Sequence, residues 1–448
     1  MRNYCVLLYS ALFISTLSGQ RVVGYYPQWV QNTFTPDKID YTVITHVIHS
    51  FAWPDEEGSI EHYDDMLSQS LTATVHDNNA KILLSFGGWG QSWGFASSTS
   101  TQELRAVLID NIISICETYS YDGIDIDWEH PANVTEKNNL TSFVAELRAS
   151  FDNLHPDWII TMAIPVSNWS GQHYDFSQLK PHLAFFNAMT YDMHGNWSSH
   201  AGHNSPLYLS PPGDPDGSVS TSVNYLTNTR GIEPQKINIG IPFYGKEYNA
   251  TDINHSFTGQ TITRLYNECH GLIGNGWNYM WDNIGLSPYL QNNSQSKIIT
   301  FDDSLSVSLK SEYVISNNLG GLMIWALGYD EINGEQKLIQ SMKFNYLNND
   351  SDLNPDTYSI NILNYPNPFN NRTNFRYTLQ ENSDVSIIIY NLKGSIVNNL
   401  VNEHQTKGPR IVSWNATTDN GDPISAGVYL YQIKSGNNTI TKKTIYLK

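Results

Sequence analysis

Eight short apolar runs between Arg21 and Leu347, separated by helix-like stretches, limit most strongly what this chain can fold into. Most runs are continuously apolar, which is typical of strands covered on both faces in a parallel sheet. Stretches such as Thr101–Tyr119 and Asn138–Asn153 have the spacing of amphipathic helices. Eight strand–helix units over roughly 330 residues favour an α/β fold, the TIM (β/α)8 barrel. The predicted strands are Val22–Tyr26, Val43–Ala52, Lys81–Phe86, Gly123–Trp128, Ile159–Pro165, Phe185–Tyr191, Ile237–Pro242 and Gly321–Ala326.

Two segments depart from this repeat. Glu247–Phe301, between the last two predicted strands, is too long for an ordinary connection. It predicts a small α+β insertion beside the end of the barrel where such folds have their active sites. Asn348–Asp356 is polar and predicts a linker. After it, short strands between turn sequences indicate a small β-sandwich. These strands are Thr373–Leu379, Val385–Asn391, Arg410–Trp414, Gly427–Ser435 and Lys442–Leu447.

The N-terminus has the pattern of a secretory signal peptide. Arg2 precedes an apolar run, Tyr4–Leu17, and small residues follow it, which predicts cleavage near Gly19. A buried first helix is the alternative interpretation. The expected division is therefore a signal peptide (1–19), a barrel (20–347) with its insertion (247–301), a linker (348–358) and a C-terminal domain (359–448).

Two distant cysteines, Cys116 and Cys269, are left once the signal peptide is removed. They do not make a disulfide framework, which favours two buried thiols over a bridge, and both alternatives stay open.

Charge and aromatic content narrow the class of partner. The chain has 43 acidic and 25 basic residues, a net charge of −18, which makes binding to nucleic acid or anionic lipid unfavourable. Residues 360–448 differ, with 9 basic and 5 acidic residues, so the tail indicates a unit of separate origin. The 12 Trp, 27 Tyr and 16 Phe residues supply stacking surfaces of the kind that bind sugar rings.

A row of carboxylates in the fourth predicted strand is the sharpest indication of chemistry. Asp125, Asp127 and Glu129 alternate with apolar residues, so they share one face of the strand. Buried neighbouring carboxylates are costly, because each loses hydration and repels the next. The outermost acid would have a raised pKa and suit general acid catalysis at the end of the strand where barrel enzymes keep their sites. A cation site and an exposed edge strand are the alternatives, although the spacing lacks the glycine of a calcium loop.

The segment Asp122–Glu129 resembles the D-G-x-D-x-D-x-E motif of glycoside hydrolase family 18, the chitinases and their relatives. The resemblance covers Arg21 to about Leu347, and the motifs of other strands follow in the family's order. These are Gly24-Tyr25-Tyr26, Ser85-Phe86-Gly87-Gly88-Trp89, Met189-Thr190-Tyr191-Asp192-Met193-His194-Gly195, Ile241-Pro242-Phe243-Tyr244-Gly245 and Gly320-Gly321-Leu322-Met323-Ile324-Trp325-Ala326.

The resemblance implies a mechanism in which the substrate supplies the nucleophile. Glu129 would protonate the leaving glycosidic oxygen, and the 2-acetamido group of the sugar would attack its own anomeric carbon to give an oxazolinium ion. Asp127 would hold the acetamide N–H, Asp125 would share the proton of Asp127, and Tyr191 would bind the acetamide oxygen. Water would then open the intermediate with retained configuration. No cofactor and no metal are expected.

The resemblance also implies a cleft lined by aromatic residues for chitin or a chitooligosaccharide. Trp325 would form the floor under the reacting sugar, and Trp89 would line a neighbouring subsite; for Phe51 and Trp93, core packing is an equal alternative. The chain is expected to act as a monomer. The substrate-binding residues implied are Tyr25, Phe51, Gly87, Gly88, Trp89, Gly90, His130, Met189, Thr190, Asp192, Tyr244 and Trp325.

The tail resembles the C-terminal sorting domain of proteins exported by the type IX secretion system, an immunoglobulin-like sandwich. The resemblance spans about Ser359–Lys448 and rests on Tyr365-Pro366-Asn367-Pro368-Phe369-Asn370, Ser425–Tyr431 and the terminal Lys442–Lys448. It implies the secretion machinery as a partner and release or attachment at the cell surface. A carbohydrate-binding module is the rival interpretation, although Trp414 is the only Trp of the tail.

Two other functions stay open beside a secreted chitinase. An endo-β-N-acetylglucosaminidase acting on N-glycans shares the row of carboxylates. A chitin-binding lectin without activity is a different class, but such relatives lose the acid, and Glu129 is present.

Overall fold

The structure, a computed structural model, describes residues 20–342, 362–365, 369–370, 372–379, 381–436 and 438–447. The chain divides into two compact units, Met1–Phe344 and Asn345–Lys448. The expected signal peptide and linker lie outside the described residues, and both stay predictions.

Eight parallel strands of the first unit close into a barrel, which confirms the predicted fold class. They are β1 (Arg21–Pro27), β2 (His46–Pro54), β4 (Lys81–Gly87), β5 (Gly123–Asp127), β6 (Ile159–Ile164), β7 (Phe185–Ala188), β8 (Ile237–Pro242) and β14 (Gly321–Trp325), with a short β3 (Ile60–Glu61) antiparallel to β2. Strand β1 pairs with both β2 and β14, so the strands follow the chain around the barrel.

Helices lie between the barrel strands, and the two longest begin at side-chain caps. Thr101 accepts a hydrogen bond from the backbone of Leu104, and Asn133 accepts one from Glu136. The cap at Asn133 starts its helix four residues before the predicted Asn138. The helices are α1 (Gln69–Asp77), α2 (Phe95–Ser98), α3 (Gln102–Tyr119), α4 (Val134–Leu154), α5 (Asn168–Gly171), α6 (Phe176–Leu179), α7 (Val219–Asn224), α9 (Ser304–Ser316) and α10 (Lys337–Gln340).

Four barrel strands end earlier than the sequence predicts: β5, β6 and β14 by one residue each, and β7 by three. The last residue pairs join Gly87 to Asp127 and Ile164 to Ala188. Glu129 and Tyr191 therefore lie in the loops that follow β5 and β7, where side chains are free to turn toward the barrel mouth. Inside the barrel, the side chains of five strands form one cluster: Val23, Tyr25, Ile48, Phe51, Leu83, Phe185 and Met323.

The segment between β8 and β14 is the predicted α+β insertion. It forms an antiparallel sheet in the order β10-β9-β13-β12-β11 and one helix. The sheet begins at Tyr244, three residues before the predicted boundary. Its elements are β9 (Tyr244–Asn249), β10 (Thr258–Leu265), α8 (Tyr266–Leu272), β11 (Asn278–Asp282), β12 (Ser287–Asn292) and β13 (Lys297–Thr300); the small pair β15 (Glu331–Ile332) and β16 (Glu335–Gln336) follows the barrel.

The second unit consists of two sheets in its described part. The three-stranded sheet holds β17 (Ile362–Tyr365), β19 (Thr373–Leu379) and β22 (Gly408–Trp414); the five-stranded sheet holds β18 (Phe369–Asn370), β20 (Ser383–Asn391), β21 (Ile396–Gln405), β23 (Gly427–Ser435) and β24 (Asn438–Leu447). Phe375 and Trp414 of one sheet pack with Ile387 and Ile433 of the other. This confirms the β-rich tail, while its immunoglobulin-like character stays a prediction. Strand β21 escaped prediction because it is polar and lies at a sheet edge.

The only Trp of the tail is a core residue. Trp414 is 1% exposed, and its indole N–H donates to the carbonyl of Thr417 at 2.8 Å. Every aromatic side chain whose burial is described in this unit is at least partly buried, so that part of the tail presents no planar aromatic platform.

Cys116 and Cys269 are both buried free thiols, as the sequence favours. None of the helices within the described residues is long and apolar enough to cross a membrane.

Candidate active site

The row of carboxylates lies on an interior strand of the barrel. Strand β5 pairs with β4 and β6, and all five of its residues are buried, which rules out an exposed edge strand. Asp125 and Asp127 lie on the same side of β5, and Glu129 follows two residues after its end. The strand's carboxyl end is therefore the candidate site.

Asp125 is held by four hydrogen-bond donors. Tyr25 and Ser85 donate to Oδ2 at 2.8 and 2.9 Å, and Thr161 and Asn187 donate to Oδ1 at 2.6 and 3.3 Å. Burial raises the pKa of Asp125, and these four hydrogen bonds oppose the rise. Both carboxylate oxygens accept hydrogen bonds, so the side chain of Asp125 is held in place and is not free to act as a nucleophile.

Asp127 has spare hydrogen-bonding capacity. Its side chain is buried, and Oδ1 has no hydrogen-bond partner among the described residues. Burial raises the pKa of Asp127 well above its usual range, and the charges of Glu129 and Asp125 raise it further. A buried polar atom left unpaired in a cleft is costly unless a ligand engages it.

The pKa of Glu129 is strongly raised. Burial raises it to about 7, with a further contribution from the charge of Asp192. The side chain is 14% exposed, so a ligand can reach it. Its backbone N–H donates to Oγ of Ser92 at 3.0 Å, which fixes the start of the loop.

His130 faces Glu129 as a neutral ring. Burial lowers the pKa of His130 to about 4, and its Nε2 lies 3.7 Å from Oε2 of Glu129. The hydroxyl of Tyr174 donates to the carbonyl of Trp128 and so accepts from Nδ1 of His130, at 3.1 Å. This leaves a lone pair on Nε2 directed at the carboxyl group of Glu129.

A second group comes from the loop after β7 and from β9. Tyr244 donates to Oδ1 of Asp192 at 2.8 Å, and Nζ of Lys246 lies 2.9 Å from the same oxygen. The ring of Tyr191 packs edge-on against Tyr244 at 6.1 Å between centroids. Burial raises the pKa of Tyr191 well above 10, and the charges of Asp127 and other nearby carboxylates raise it further, so its hydroxyl is neutral.

Trp325 is surrounded by other aromatic rings. Its centroid lies 5.7 Å from Tyr25, 5.6 Å from Phe51 and 6.2 Å from Trp29. Phe51 is only 5% exposed and stacks on Trp325, so it supports that ring as a core residue. Trp89 is 78% exposed and available to a ligand, and Trp93 is also exposed.

The glycines after β4 allow a close turn against β5. Gly87 has φ of 108°, and a Cβ there would lie 2.3 Å from the carbonyl oxygen of Asp127. The backbone N–H of Gly88 donates to that oxygen at 2.7 Å. Gly90 also has a positive φ, but it is exposed with open space around it.

The remaining predicted residues lie deeper. Met189 is half-buried against the barrel cluster. Thr190 is fully buried, and its hydroxyl donates to the carbonyl of Gly240 at 2.8 Å, so its contacts are structural.

Four residues that contact the predicted site residues were not themselves predicted. Thr161 and Asn187 are polar positions in otherwise apolar strands, and that contrast was the available signal. Lys246 and Trp29 had no such signal. Trp29 is 48% exposed beside Trp325, and its indole N–H donates to Tyr329 at 2.9 Å.

Two sequence-family models match this chain. Residues 21–330 match the sequence model described as glycosyl hydrolases family 18, and residues 363–447 match that of the secretion system C-terminal sorting domain. A probable endochitinase of Caenorhabditis elegans is 32% identical over 354 residues, which is 69% of this chain and 56% of the relative. The chain thus spans about half the length of that curated relative.

Solved structures show the same barrel. The group IV chitinase of Ostrinia furnacalis has a TM-score of 0.67 and 27% identity, covering 72% of this chain and 98% of its own. A family 18 N-acetylglucosaminidase from Paenibacillus barengoltzii has a TM-score of 0.66 and 26% identity, covering 72% and 99%.

Proposed function

The chain belongs to glycoside hydrolase family 18, and from that premise we propose that it is a secreted chitinase. It hydrolyses β-1,4 linkages between N-acetylglucosamine units by substrate-assisted catalysis with retention. The observation that carries the proposal is the pair formed by Glu129, whose pKa is about 7, and Asp127, whose buried Oδ1 is unpaired among the described residues.

Glu129 is the proton donor. Near neutral pH a large fraction of this carboxyl group is protonated, which is the form that a general acid needs. It gives its proton to the glycosidic oxygen as the bond to the anomeric carbon breaks. The leaving sugar departs as a neutral alcohol, and Glu129 becomes a carboxylate.

The nucleophile comes from the substrate, because neither Asp125 nor Asp127 is available as a carboxylate nucleophile. Asp125 is engaged by four donors, and the raised pKa of Asp127 favours its protonated form. The acetamide oxygen attacks the anomeric carbon and forms an oxazolinium ion, a step that gains from intramolecular proximity. Oδ1 of Asp127 accepts the acetamide N–H, and the neutral hydroxyl of Tyr191 donates to the acetamide oxygen.

Water completes the cycle. The Glu129 carboxylate takes a proton from water as the water oxygen adds to the anomeric carbon and the acetamide oxygen leaves. Two inversions at one carbon give net retention. Glu129 is protonated again, so the enzyme returns to its starting state.

The aromatic side chains support an extended sugar chain as substrate. The ring of Trp325, backed by Phe51 and Tyr25, suits the reacting sugar, and the exposed Trp89 suits a neighbouring unit. Similar proteins and solved structures are named as chitinases, which supports chitin as the substrate.

The C-terminal domain directs export in this proposal. The sorting-domain match at residues 363–447 supports delivery to the cell surface or the medium through type IX secretion. The buried Trp414 fits a sorting domain better than a chitin-binding platform. The proposed division is the one expected above: signal peptide 1–19, barrel 20–347, linker 348–358 and tail 359–448.

Product analysis on three substrates side by side tests the proposal. The expected result is cleavage of N-acetylglucosamine oligomers, no release of glycans from an N-glycosylated protein, and no cleavage of fully deacetylated chitosan, which lacks the internal nucleophile. Glu129→Gln is the control for contaminating activity. Glycan release with intact oligomers would assign an endo-β-N-acetylglucosaminidase instead, and efficient cleavage of the deacetylated polymer would contradict substrate assistance.

A further inference from the structure

Four metal-ligating side chains meet at one point in the loop between β7 and α7, apart from the row of carboxylates. They are His194, His200, Asp214 and Asp216, and one ligand atom of each lies within 4.8 Å of all the others. The side chains of His194 and Asp214 are fully buried, and those of His200 and Asp216 are 15% and 21% exposed.

The orientation of His194 leaves a lone pair at the centre of the cluster. Its Nδ1 lies 2.9 Å from the carbonyl oxygen of His203, and a carbonyl only accepts, so Nδ1 carries the hydrogen. In the neutral ring Nε2 is then an acceptor, yet it faces Oδ2 of Asp214 at 3.0 Å and Oδ2 of Asp216 at 3.6 Å. A backbone carbonyl on the far nitrogen is the usual arrangement of a metal-binding histidine.

The carboxylates add to this excess of acceptors. Oδ2 of Asp216 is buried and accepts no hydrogen bond from any described residue. The backbone N–H of Asp216 donates to Oδ1 of Asp214 at 3.0 Å, which turns Oδ2 of Asp214 toward the two histidines. A proton on Nε2 of His194 could form a hydrogen bond to only one of these carboxylates. A cation at the centre of the cluster could bind all four side chains.

The spacing matches tetrahedral coordination. Ligand bonds of 2.0–2.2 Å place tetrahedral ligand atoms about 3.4 Å apart. Four of the six atom pairs in the cluster lie between 3.0 and 3.6 Å. Two imidazole nitrogens with two carboxylate oxygens suit zinc and similar transition metals, whereas calcium and magnesium prefer oxygen alone.

The cluster is closely packed. A Cβ at Gly202 would lie 2.1 Å from Cδ2 of His194, so only glycine lets the loop pass this ring without displacement. We propose that the four side chains form a structural site for one zinc-class divalent cation, which fixes the loop between β7 and α7.

The site would act on the active site through Asn204, the neighbour of His203. Oδ1 of Asn204 accepts from the backbone N–H of Asp192, and its amide donates to the carbonyl of Tyr244, both at 3.0 Å. The metal is therefore a positioning device for the loop that carries Asp192, and it takes no part in the chemical steps. The four ligands are irregularly spaced in a loop, so they do not form a recognisable metal-binding motif in the sequence.

Metal content of the untagged full chain tests the proposal directly. We expect about one zinc per chain by inductively coupled plasma mass spectrometry after equilibration with zinc and desalting, as for other structural sites. His200→Asn and Asp216→Asn remove a ligand at the less buried positions and should lower zinc to below a tenth per chain. His155→Asn is the matched control, because His155 also pairs with a carboxylate, Glu117, but lies outside the cluster; it should retain the metal.

Thermal unfolding gives an independent readout. All but one of the 12 tryptophans precede residue 343, so intrinsic fluorescence follows the first unit. Excess zinc, but not magnesium, should raise the Tm of the chelator-treated chain by about 5 °C, and Asp216→Asn should abolish that shift. Zinc below a tenth per chain with no zinc-dependent shift in Tm would overturn the proposal, as would bound zinc that both ligand variants retain.

Discussion

The hydroxyl of Tyr244 donates a hydrogen bond of 2.8 Å to Oδ1 of Asp192. Asp192 is the charged group that, after burial, raises the pKa of Glu129, and Lys246 lies 2.9 Å from the same oxygen. Tyr244 and Lys246 both belong to β9, the first strand of the insertion. The insertion therefore takes part in setting the protonation of the proposed acid.

Asp192 should control the alkaline side of the pH profile. Glu129 must be protonated to donate, so kcat/KM on soluble chitin oligomers should fall above pH 7, the region of its pKa. Asp192→Asn removes a negative charge, which lowers the pKa of Glu129 and should move this limb to lower pH. The exposed Asp157 supplies the control, Asp157→Asn, whose profile should be unchanged. An unmoved or upward-shifted limb in Asp192→Asn would show that this charge does not act on the acid.

Glu129→Gln should abolish turnover without preventing binding. Loss of general acid catalysis typically costs ~10²–10⁴-fold in rate. The amide keeps the size of the side chain, so oligosaccharide binding, followed by Trp fluorescence, should persist. Activity equal to that of the unaltered enzyme would remove Glu129 from its assigned role.

Trp89 and Trp325 should respond differently to truncation. Trp89 is 78% exposed, so Trp89→Ala should raise KM for long oligomers with little change in Tm. Trp325 is partly buried and packs against three aromatic rings, so Trp325→Ala should lower both kcat and the free energy of unfolding, the latter by about 3 kcal/mol. A stability loss in Trp89→Ala as large as in Trp325→Ala would contradict this division of roles.

A chain ending at Leu347 should fold and cleave soluble chitin oligomers. The division of the structure near Phe344 supports independent folding of the barrel. In the native host this chain should accumulate in the periplasm, because it lacks the sorting domain. Normal secretion combined with lost binding to insoluble chitin would make the tail a binding module, and an unfolded barrel would contradict the domain boundary.

The barrel and the acids could be predicted from the sequence because both leave local patterns. Continuous apolar runs mark strands buried on both faces, and charges on such a strand, as at Asp125 and Asp127, are conspicuous. The contacts of those acids could not be predicted in the same way. Thr161 and Asn187 reach Asp125 from strands 36 and 62 residues away, and only barrel closure brings them together.

The polar strand Ile396–Gln405 and the cluster around His194 escaped prediction for related reasons. An edge strand needs little apolar surface, so its pattern is weak. The cluster is formed by a loop without regular secondary structure. The spacing of its residues in the sequence therefore does not predict which side chains lie close together.

The anomeric form of the first product tests the central claim most directly. The unaltered enzyme is mixed with a soluble N-acetylglucosamine oligomer, and proton NMR follows the new reducing end before mutarotation equilibrates it. Substrate-assisted catalysis by Glu129 and Asp127 predicts that the β-anomer appears first, as in the β-linked substrate. Initial formation of the α-anomer would mean direct attack by water with inversion, and would contradict the proposed mechanism.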